Sequence, residues 1–206
     1  GHPLYVEQVI GGMYEIDAAW EARGGKLAYK VSERQWQRFE EHLKKARELL
    51  VAAWKAHPEF PDAPALMIPV TAGGYTKLWE TPRMWFDRAV AAQFDFGEAY
   101  HRLLWFMRPR WGGTYDEMYA LGVECLETKR FDTGVPFWFF EAVQRIAVDM
   151  EWDDAYWKKR KTYPRLQEMF AGYAEQGLPS RRDYYRSAEA AVEWTRRQLK
   201  PHKDLM

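Results

Sequence analysis

The sequence predicts an all-α protein, a right-handed α-solenoid made of stacked antiparallel helix pairs. Three observations support this fold class. Apolar residues recur every three or four positions along most of the chain, capping residues precede these runs, and proline or glycine follows them. Short breaks between long amphipathic runs are typical of helices that pack against their neighbours. We therefore expect about eight to ten helices in one domain over residues 3–206.

The first two helices are predicted from their apolar spacing and their ends. The first covers Leu4–Arg23, and Gly24 ends it. The second begins at Ser32, which can cap it together with Gln35 in a capping box. It ends before Pro58, because the proline ring disfavours helical geometry in the preceding residue. The connection between the two helices, residues 26–31, is expected to be extended.

The following segment is rich in proline, which restricts its helical content. We expect only a short helix around Ala63–Ile68, followed by a loop over Thr71–Tyr75. After it, the stretch Thr81–Thr128 contains two helix–turn–helix joints. Thr81 can cap the first helix of this stretch, with a proline in its first turn. Asp95–Gly97 then separates that helix from a second one.

The second helix of the stretch is predicted to end at Pro109, where a pair of glycines turns the chain. Thr114 can open a third helix in a capping box with Glu117. The helices predicted after residue 133 cover Val135–Met150, a short piece from Asp153, Thr162–Gly177, and a last one that starts at Pro179–Ser180 and ends at Pro201.

A repeat of 37 residues relates three of the predicted helix breaks. Pro58, Asp95 and Asp132 lie at this interval, and each falls between two predicted helices. Tetratricopeptide repeats are built from helix pairs of about 34 residues, so the interval is typical of a similar architecture.

Four segments together resemble a bacterial family known only as a domain of unknown function and commonly found near tetratricopeptide-like proteins. They are AAWEARGG at 18–25, AWKAHPEFPDAPALMI at 53–68, WFDRAVAAQFDFGEAY at 85–100 and RPRWGGTYDEMYALGVECLETKRFD at 108–132. The resemblance covers about residues 3–150. It implies an all-helical repeat fold, and it implies no catalytic residues.

Composition narrows the protein class and its location. No run of about 18 apolar residues occurs, so the sequence predicts no membrane span. Cys125 is the only cysteine, and its place on an apolar helix stripe predicts a buried side chain. Gly1 and His2 are not expected to belong to the native protein. The cytoplasm is the favoured location, and secretion or the periplasm is the alternative if a signal peptide has been removed.

Catalytic and metal-binding groups are sparse, and the sequence predicts no enzyme, no cofactor and no metal. Glu98 and His101 form a Glu-x-x-His pair on one helix, whereas di-iron bundle proteins use two such pairs with further glutamates. We expect these two side chains on a solvated helix face. A metal-dependent enzyme that uses them is kept as an alternative.

The favoured function is a protein–protein interaction module with a protein or peptide partner, because 11 tryptophans supply flat contact surfaces. The elbow Arg108–Gly113 is the first candidate. In one interpretation it presents Arg110 and Trp111 to a partner; in the other, Trp111 plugs a gap between helices. The predicted binding residues are Arg108, Arg110 and Trp111 of the elbow, and Trp79, Trp152 and Trp157, which are expected to be exposed at helix ends or in loops.

Charge suggests a different partner. Residues 155–206 hold 12 Lys and Arg against 6 Asp and Glu, whereas residues 1–154 hold 18 against 24. The basic C-terminal helices therefore form the alternative site, for an anionic polymer such as RNA. Its predicted residues are Lys158, Lys159, Arg160, Lys161, Arg181, Arg182, Arg196 and Arg197.

Overall fold

The computed structural model describes residues 2–74, 79–150, 157 and 159–199. Every regular element in this part of the chain is helical, which confirms the prediction of an all-α protein. Helices that are neighbours along the chain pack against one another within each of the two units described below. The α-helices of the described residues are α1 (His2–Arg23), α2 (Glu33–Ala56), α3 (Asp62–Ala72), α4 (Pro82–Ala92), α5 (Gly97–Phe106), α6 (Tyr115–Glu127), α7 (Trp138–Asp149), α8 (Thr162–Gln176) and α9 (Arg182–Leu199).

The chain divides into two compact units, which we call unit 1 (residues 1–114) and unit 2 (residues 115–206). Unit 1 contains α1 to α5, and unit 2 contains α6 to α9. The single repeat domain that the sequence predicts over residues 3–206 stays a prediction.

Unit 1 is built around α3, which contacts α1, α2, α4 and α5. Its residues from Ala63 to Thr71 are all buried. A helix that is apolar all round belongs in the interior, because it has no face to turn to water. The hydroxyl of Thr71 stays satisfied in this interior by donating to the carbonyls of Met67 (3.0 Å) and Ile68 (2.9 Å).

The two longest helices of unit 1, α1 and α2, pack closely at a pair of glycines. A Cβ on Gly12 would lie 2.6 Å from Leu50 Cγ, and one on Gly11 would lie 3.1 Å from Leu49 Cδ1. The glycines therefore serve the approach of the two helices and do not interrupt α1. The end of α1 is held by Gln35, whose amide donates to the carbonyls of Ala22 and Arg23.

Two of the helix caps predicted from short motifs, those at Ser32 and Thr81, are confirmed. Ser32 Oγ accepts from the backbone N–H of Gln35, and Gln35 Oε1 accepts from the N–H of Ser32, which completes the capping box. Thr81 Oγ1 accepts from the N–H of Met84 at 3.1 Å, with a proline at the first helical position. The helix α2 ends at Ala56, as the following His–Pro pair predicts.

Several predicted boundaries are wrong by a few residues. Residues 71 and 72 belong to α3 and not to a loop, because the helix continues past its internal Pro69. The helix α5 ends at Phe106, since Pro109 keeps Arg108 extended and starts a 3-10 turn of its own. Similar 3-10 turns replace the predicted starts of α7 and α9, and another, Ala28–Lys30, lies in the connection predicted to be extended.

Unit 2 has a core of large aromatic and aliphatic side chains. α6 packs on α7, where Gly122 leaves room for Phe139. Cys125 is buried at 3% exposure, which confirms the prediction for its side chain. The aromatic cluster continues to α8 and α9 through Phe137, which lies 5.3 Å from the Tyr185 ring.

Candidate binding sites

The elbow after α5 is a rigid turn that requires both of its glycines. Gly112 adopts a left-handed conformation with φ of 90°, which side chains disfavour. A Cβ on Gly113 would collide with the carbonyl oxygen of Met107. The N–H of Gly113 also donates to the carbonyl of Arg108 at 3.3 Å, which closes the turn.

Trp111 of the elbow packs into unit 1. Its half-buried ring lies 5.3 Å from the ring of Trp20 and 5.7 Å from that of Phe106, measured between centroids. The Arg23 guanidinium lies 5.9 Å from Trp111, and it also faces Trp20 (5.8 Å) and Trp36 (5.4 Å). Trp111 thus links α5 to α1, which is the arrangement expected if it plugs a gap.

The two arginines of the elbow gather on a different ring, that of Trp105 on α5. The Arg108 guanidinium lies 4.4 Å from the Trp105 centroid, and that of Arg110 lies 5.9 Å from it. Trp105 is at the last turn of its helix and 36% exposed. The sequence analysis missed Trp105, although its position three residues before Arg108 indicates that the two can meet across a helix end.

The prediction of exposure has a different outcome for each of the other three tryptophans. Trp79 is 61% exposed, which confirms its predicted exposure. The predicted exposure of Trp157 is wrong, because its indole is only 5% exposed in the interior of unit 2. Its position near the end of a short predicted helix suggested a surface ring, but the ring is packed in the core. Trp152 lies outside the described residues.

The basic residues of unit 2 do not form one continuous stripe within the described part. Lys159 and Lys161 are exposed before α8, and Arg160 pairs there with Asp116. Arg181 and Arg182 follow the other end of this 15-residue helix, which at 1.5 Å per residue is about 22 Å away. Lys158 lies outside the described residues, as do the side chains of Arg196 and Arg197.

A pocket of about 110 Å³ lies between α8 and α9 at this second basic end. Two stacked tyrosines, Tyr173 and Tyr185, contribute to its wall, with ring centroids 3.9 Å apart and planes inclined by 18°. Both rings are buried. The residues that line the pocket are Phe170, Tyr173, Ala174, Arg182, Tyr185, Arg186 and Glu189.

The Tyr173 hydroxyl fixes the stacked pair in place. It accepts from the backbone N–H of Phe137 at 2.9 Å and donates to the carbonyl of Thr133 at 3.1 Å. Burial, followed by the neighbouring Tyr185, raises the pKa of this hydroxyl well above its usual range. Tyr173 is therefore neutral at physiological pH, and this part of the pocket wall is flat, rigid and uncharged.

The charged groups of the pocket stand at its rim on α9. Arg182, Arg186 and Glu189 follow one another at i, i+4 and i+7, a spacing that puts them on one face of the helix. The one ion pair of Arg186 with a described residue is a long contact of 3.9 Å with Asp183. Within the described residues, the Arg182 side chain has no ion-pair partner. The rim therefore offers two guanidinium groups to an incoming anion.

Tyr184, the neighbour of Tyr185 on α9, is an exposed aromatic residue. It is 58% exposed and lies 5.3 Å from the ring of Phe137. Partial burial, and then the carboxylate of Glu141, raise the pKa of its hydroxyl, so it also stays neutral. Tyr184 is two residues from both Arg182 and Arg186, so it lies on a different side of α9 from the rim of the pocket.

Comparison with protein-family models, curated proteins and solved structures finds no match. The family resemblance described from the sequence accordingly stays a prediction.

Two of the predictions concern a membrane span and a metal site. None of the described helices is both long and apolar enough to span a membrane. Within the same part of the chain, no three His, Cys, Asp or Glu side chains gather as a metal site. Glu98, half of the Glu-x-x-His pair, binds Arg102 at 3.3 Å.

The sequence analysis named Arg182 but missed Arg186, Glu189 and the pocket itself. The i, i+4, i+7 spacing of these residues is the signal that indicates a shared face. The pocket depends on the distance between α8 and α9, which no local pattern contains.

Proposed function

We propose that this protein is a helical-repeat interaction module whose unit 2 pocket binds an acidic side chain of a protein partner. The observation behind this proposal is the pocket between α8 and α9, where Arg182 and Arg186 stand over the stacked pair Tyr173 and Tyr185.

The size of the pocket favours a small group. Pockets that hold whole cofactors or drug-sized molecules span about 300–1,000 Å³, and this one measures about 110 Å³. A carboxylate side chain with its methylene groups suits such a volume. An arginine pair binds a carboxylate well, because guanidinium groups donate two parallel hydrogen bonds to its oxygens.

The charge arrangement favours a single acid over a polyanion. Glu189 stands at the same rim as the two arginines and repels a continuous run of phosphates. The two basic groups of unit 2 are also separated by the length of α8, and Arg160 of the first group is already paired with Asp116. For these reasons a short acidic and aromatic peptide segment is favoured over RNA.

Repeat architecture is part of the same proposal. Three residues spaced 37 apart each lie in a connection between two helices. Pro58 lies between α2 and α3, Asp95 between α4 and α5, and Asp132 between α6 and α7. Recurrent helix pairs of this length are typical of proteins that bind peptides along an extended surface. This regularity supports a binding role in preference to catalysis.

The test uses the full chain and two labelled eight-residue peptides. One holds a Tyr–Glu pair in a glycine–serine background, and the other has Gln in place of Glu. We expect fluorescence anisotropy to detect binding of the Glu peptide only. Arg182→Ala and Arg186→Ala should each weaken it at least about tenfold, since a hydrogen bond to a charged group contributes about 1.5–3 kcal/mol.

The control is Arg34→Ala, which removes an exposed arginine of α2 in unit 1 and should leave the affinity unchanged. Equal binding of the Glu and Gln peptides, or an equal loss in the control, contradicts the proposal. A labelled 12-nucleotide uridine RNA is measured in parallel between 50 and 200 mM salt. Tight RNA binding that falls steeply with salt supports the polymer alternative instead.

A further inference from the structure

We propose a second docking site, on the outer face of α1 in unit 1, for an amphipathic helix of a partner protein that is apolar along its middle and basic at one end. It is independent of the unit 2 pocket and rests on different residues.

The helix α1 is apolar on two opposite sides. Its inner side is buried against the rest of unit 1 through Tyr5, Ile16 and Ala19. Its outer side carries four exposed apolar residues at the spacing i, i+4, i+7 and i+8: Val6 (49% exposed), Ile10 (60%), Met13 (45%) and Tyr14 (69%).

This outer stripe differs from the usual surface of a packed helix. A surface helix normally turns polar residues to water, and single exposed apolar residues need no explanation. Four of them on one face over nine residues form a continuous stripe. Apolar anchors at i, i+4 and i+7 are the pattern by which helices dock against each other.

The same face becomes acidic in the next two turns. Asp17 and Glu21 continue the stripe at i+11 and i+15 from Val6, and Glu7 borders it, all three exposed. None of these carboxylates has an ion-pair partner within the described residues. Glu21 also stands in the last turn of α1, where the helix dipole disfavours negative charge. A cationic partner would relieve this unfavourable placement.

The only arginine of α1 is unavailable to neutralise this face. The Arg23 guanidinium is surrounded by the rings of Trp20, Trp36 and Trp111. It also donates to the carbonyls of Gly24 and Lys26. The stripe therefore combines an uncovered apolar surface with an uncompensated acidic end.

Charge decides which occupant fits this face. An anionic lipid surface is repelled by the carboxylates at its acidic end. A second copy docked in parallel through its own α1 brings the same carboxylates, and the described side chains of α1 include no free lysine or arginine to compensate them. A partner helix with lysine or arginine one or two turns beyond its apolar residues complements both parts of the stripe at once.

The face is also held rigidly, which lowers the entropic cost of docking. The close approach at Gly12 fixes α1 against Leu50 of α2. At the other end, Gln35 binds the last carbonyls of α1. The spacing between the apolar and acidic parts is therefore set before a partner arrives.

The experiment measures binding of two designed 18-residue helical peptides to the full chain by fluorescence anisotropy. Both peptides carry a leucine stripe, followed on the same face by lysines in one peptide and by glutamates in the other. We expect the lysine peptide to bind the wild-type protein at least about tenfold more tightly than the glutamate peptide. The double variant Asp17→Lys/Glu21→Lys should reverse this preference.

Ile10→Lys should weaken the lysine peptide at least tenfold by placing a charge in the stripe. Val148→Lys is the matched control, because Val148 is an exposed valine of α7 outside the stripe, and it should have no effect. Arg182→Ala should have no effect either, which separates this site from the pocket. Circular dichroism of every variant confirms that the helices are retained.

Three results overturn the proposal. The first is equal binding of the two peptides, and the second is binding that Ile10→Lys leaves unchanged. The third is a concentration-dependent dimer in sedimentation that Ile10→Lys abolishes, which would assign the stripe to a second copy of the chain.

Discussion

Among the described residues, the closest contacts between arginine and aromatic side chains lie in unit 1, whereas the closest stacking of two aromatic rings lies in the pocket wall of unit 2. In unit 1, guanidinium groups are stacked on indoles: Arg23 faces three of them, and Arg88 lies 4.2 Å from both Trp54 and Trp85. In unit 2, tyrosines stack on each other, and Arg182 is left at the rim of a pocket. The same residue types therefore pack against each other in the core of one unit and line a pocket in the other.

This contrast shows why composition alone does not locate a binding site. A cation against an aromatic face is stabilised by the charge distribution of the ring, and packing between rings keeps a ligand away from that face of the guanidinium. An arginine beside a pair of rings that are already stacked retains its donors. A candidate binding arginine is recognised by whether its guanidinium group already has a partner in the folded protein. The packing of the chain decides this.

The largest expected effect tests the structural role of the elbow in unit 1. Trp111→Ala should lower the free energy of unfolding by about 2–3 kcal/mol, because a large half-buried ring leaves a gap beside Trp20 and Phe106. Thermal and urea denaturation followed by circular dichroism measure it. A change below about 0.5 kcal/mol, together with weaker binding of a peptide partner, would instead support the alternative in which the elbow presents Trp111.

A smaller loss of stability is expected when one arginine is removed from unit 1, and almost none when one is removed from the pocket of unit 2. Arg88→Ala should cost about 1–2 kcal/mol of stability, since it removes a cation placed between two indoles. Arg182→Ala should stay within about 0.5 kcal/mol, because an exposed side chain without an ion-pair partner supports little of the fold. Urea denaturation of the two variants side by side measures both. Equal losses of stability in the two variants would contradict the difference drawn between Arg88 and Arg182.

A third effect, seen only at alkaline pH, concerns the stability of unit 1. Burial, and then the carboxylate of Asp62, raise the pKa of Tyr5 from 10.0 to about 12. The unfolded chain then loses this proton near pH 10 while the folded protein keeps it, so stability should fall as the pH rises from about 10 to 12. Thermal melts across this window should show a shallower fall in Tyr5→Phe, and an identical slope in both proteins would contradict the assignment.

The parts of the fold that could be predicted are those encoded by local sequence. Ser32 and Thr81 cap their helices because their hydroxyls reach backbone groups only two or three residues away. Pro58 acts on the residue directly before it. Such effects need no knowledge of distant segments, and for this reason the helices and most of their ends were predictable.

The candidate sites depend on packing between distant segments, and sequence reasoning missed most of them. The burial of Trp157 follows from the surrounding core of unit 2, and the pocket follows from the separation of α8 and α9. The elbow shows the same limit. Its glycines and its turn were predictable, but the choice of Trp105 as the ring on which its arginines stack depends on where α5 ends.

The enclosed helix α3 has a consequence for how the protein is made. Its sequence leaves the ribosome well before α5, which ends about 34 residues later. At about 5–20 residues per second, this largely apolar helix waits roughly 2–7 s for its last covering helix. During synthesis, therefore, α3 is a natural target for chaperones that bind apolar stretches. Chains cut before Phe106 should aggregate, because they keep this helix and lack part of its cover.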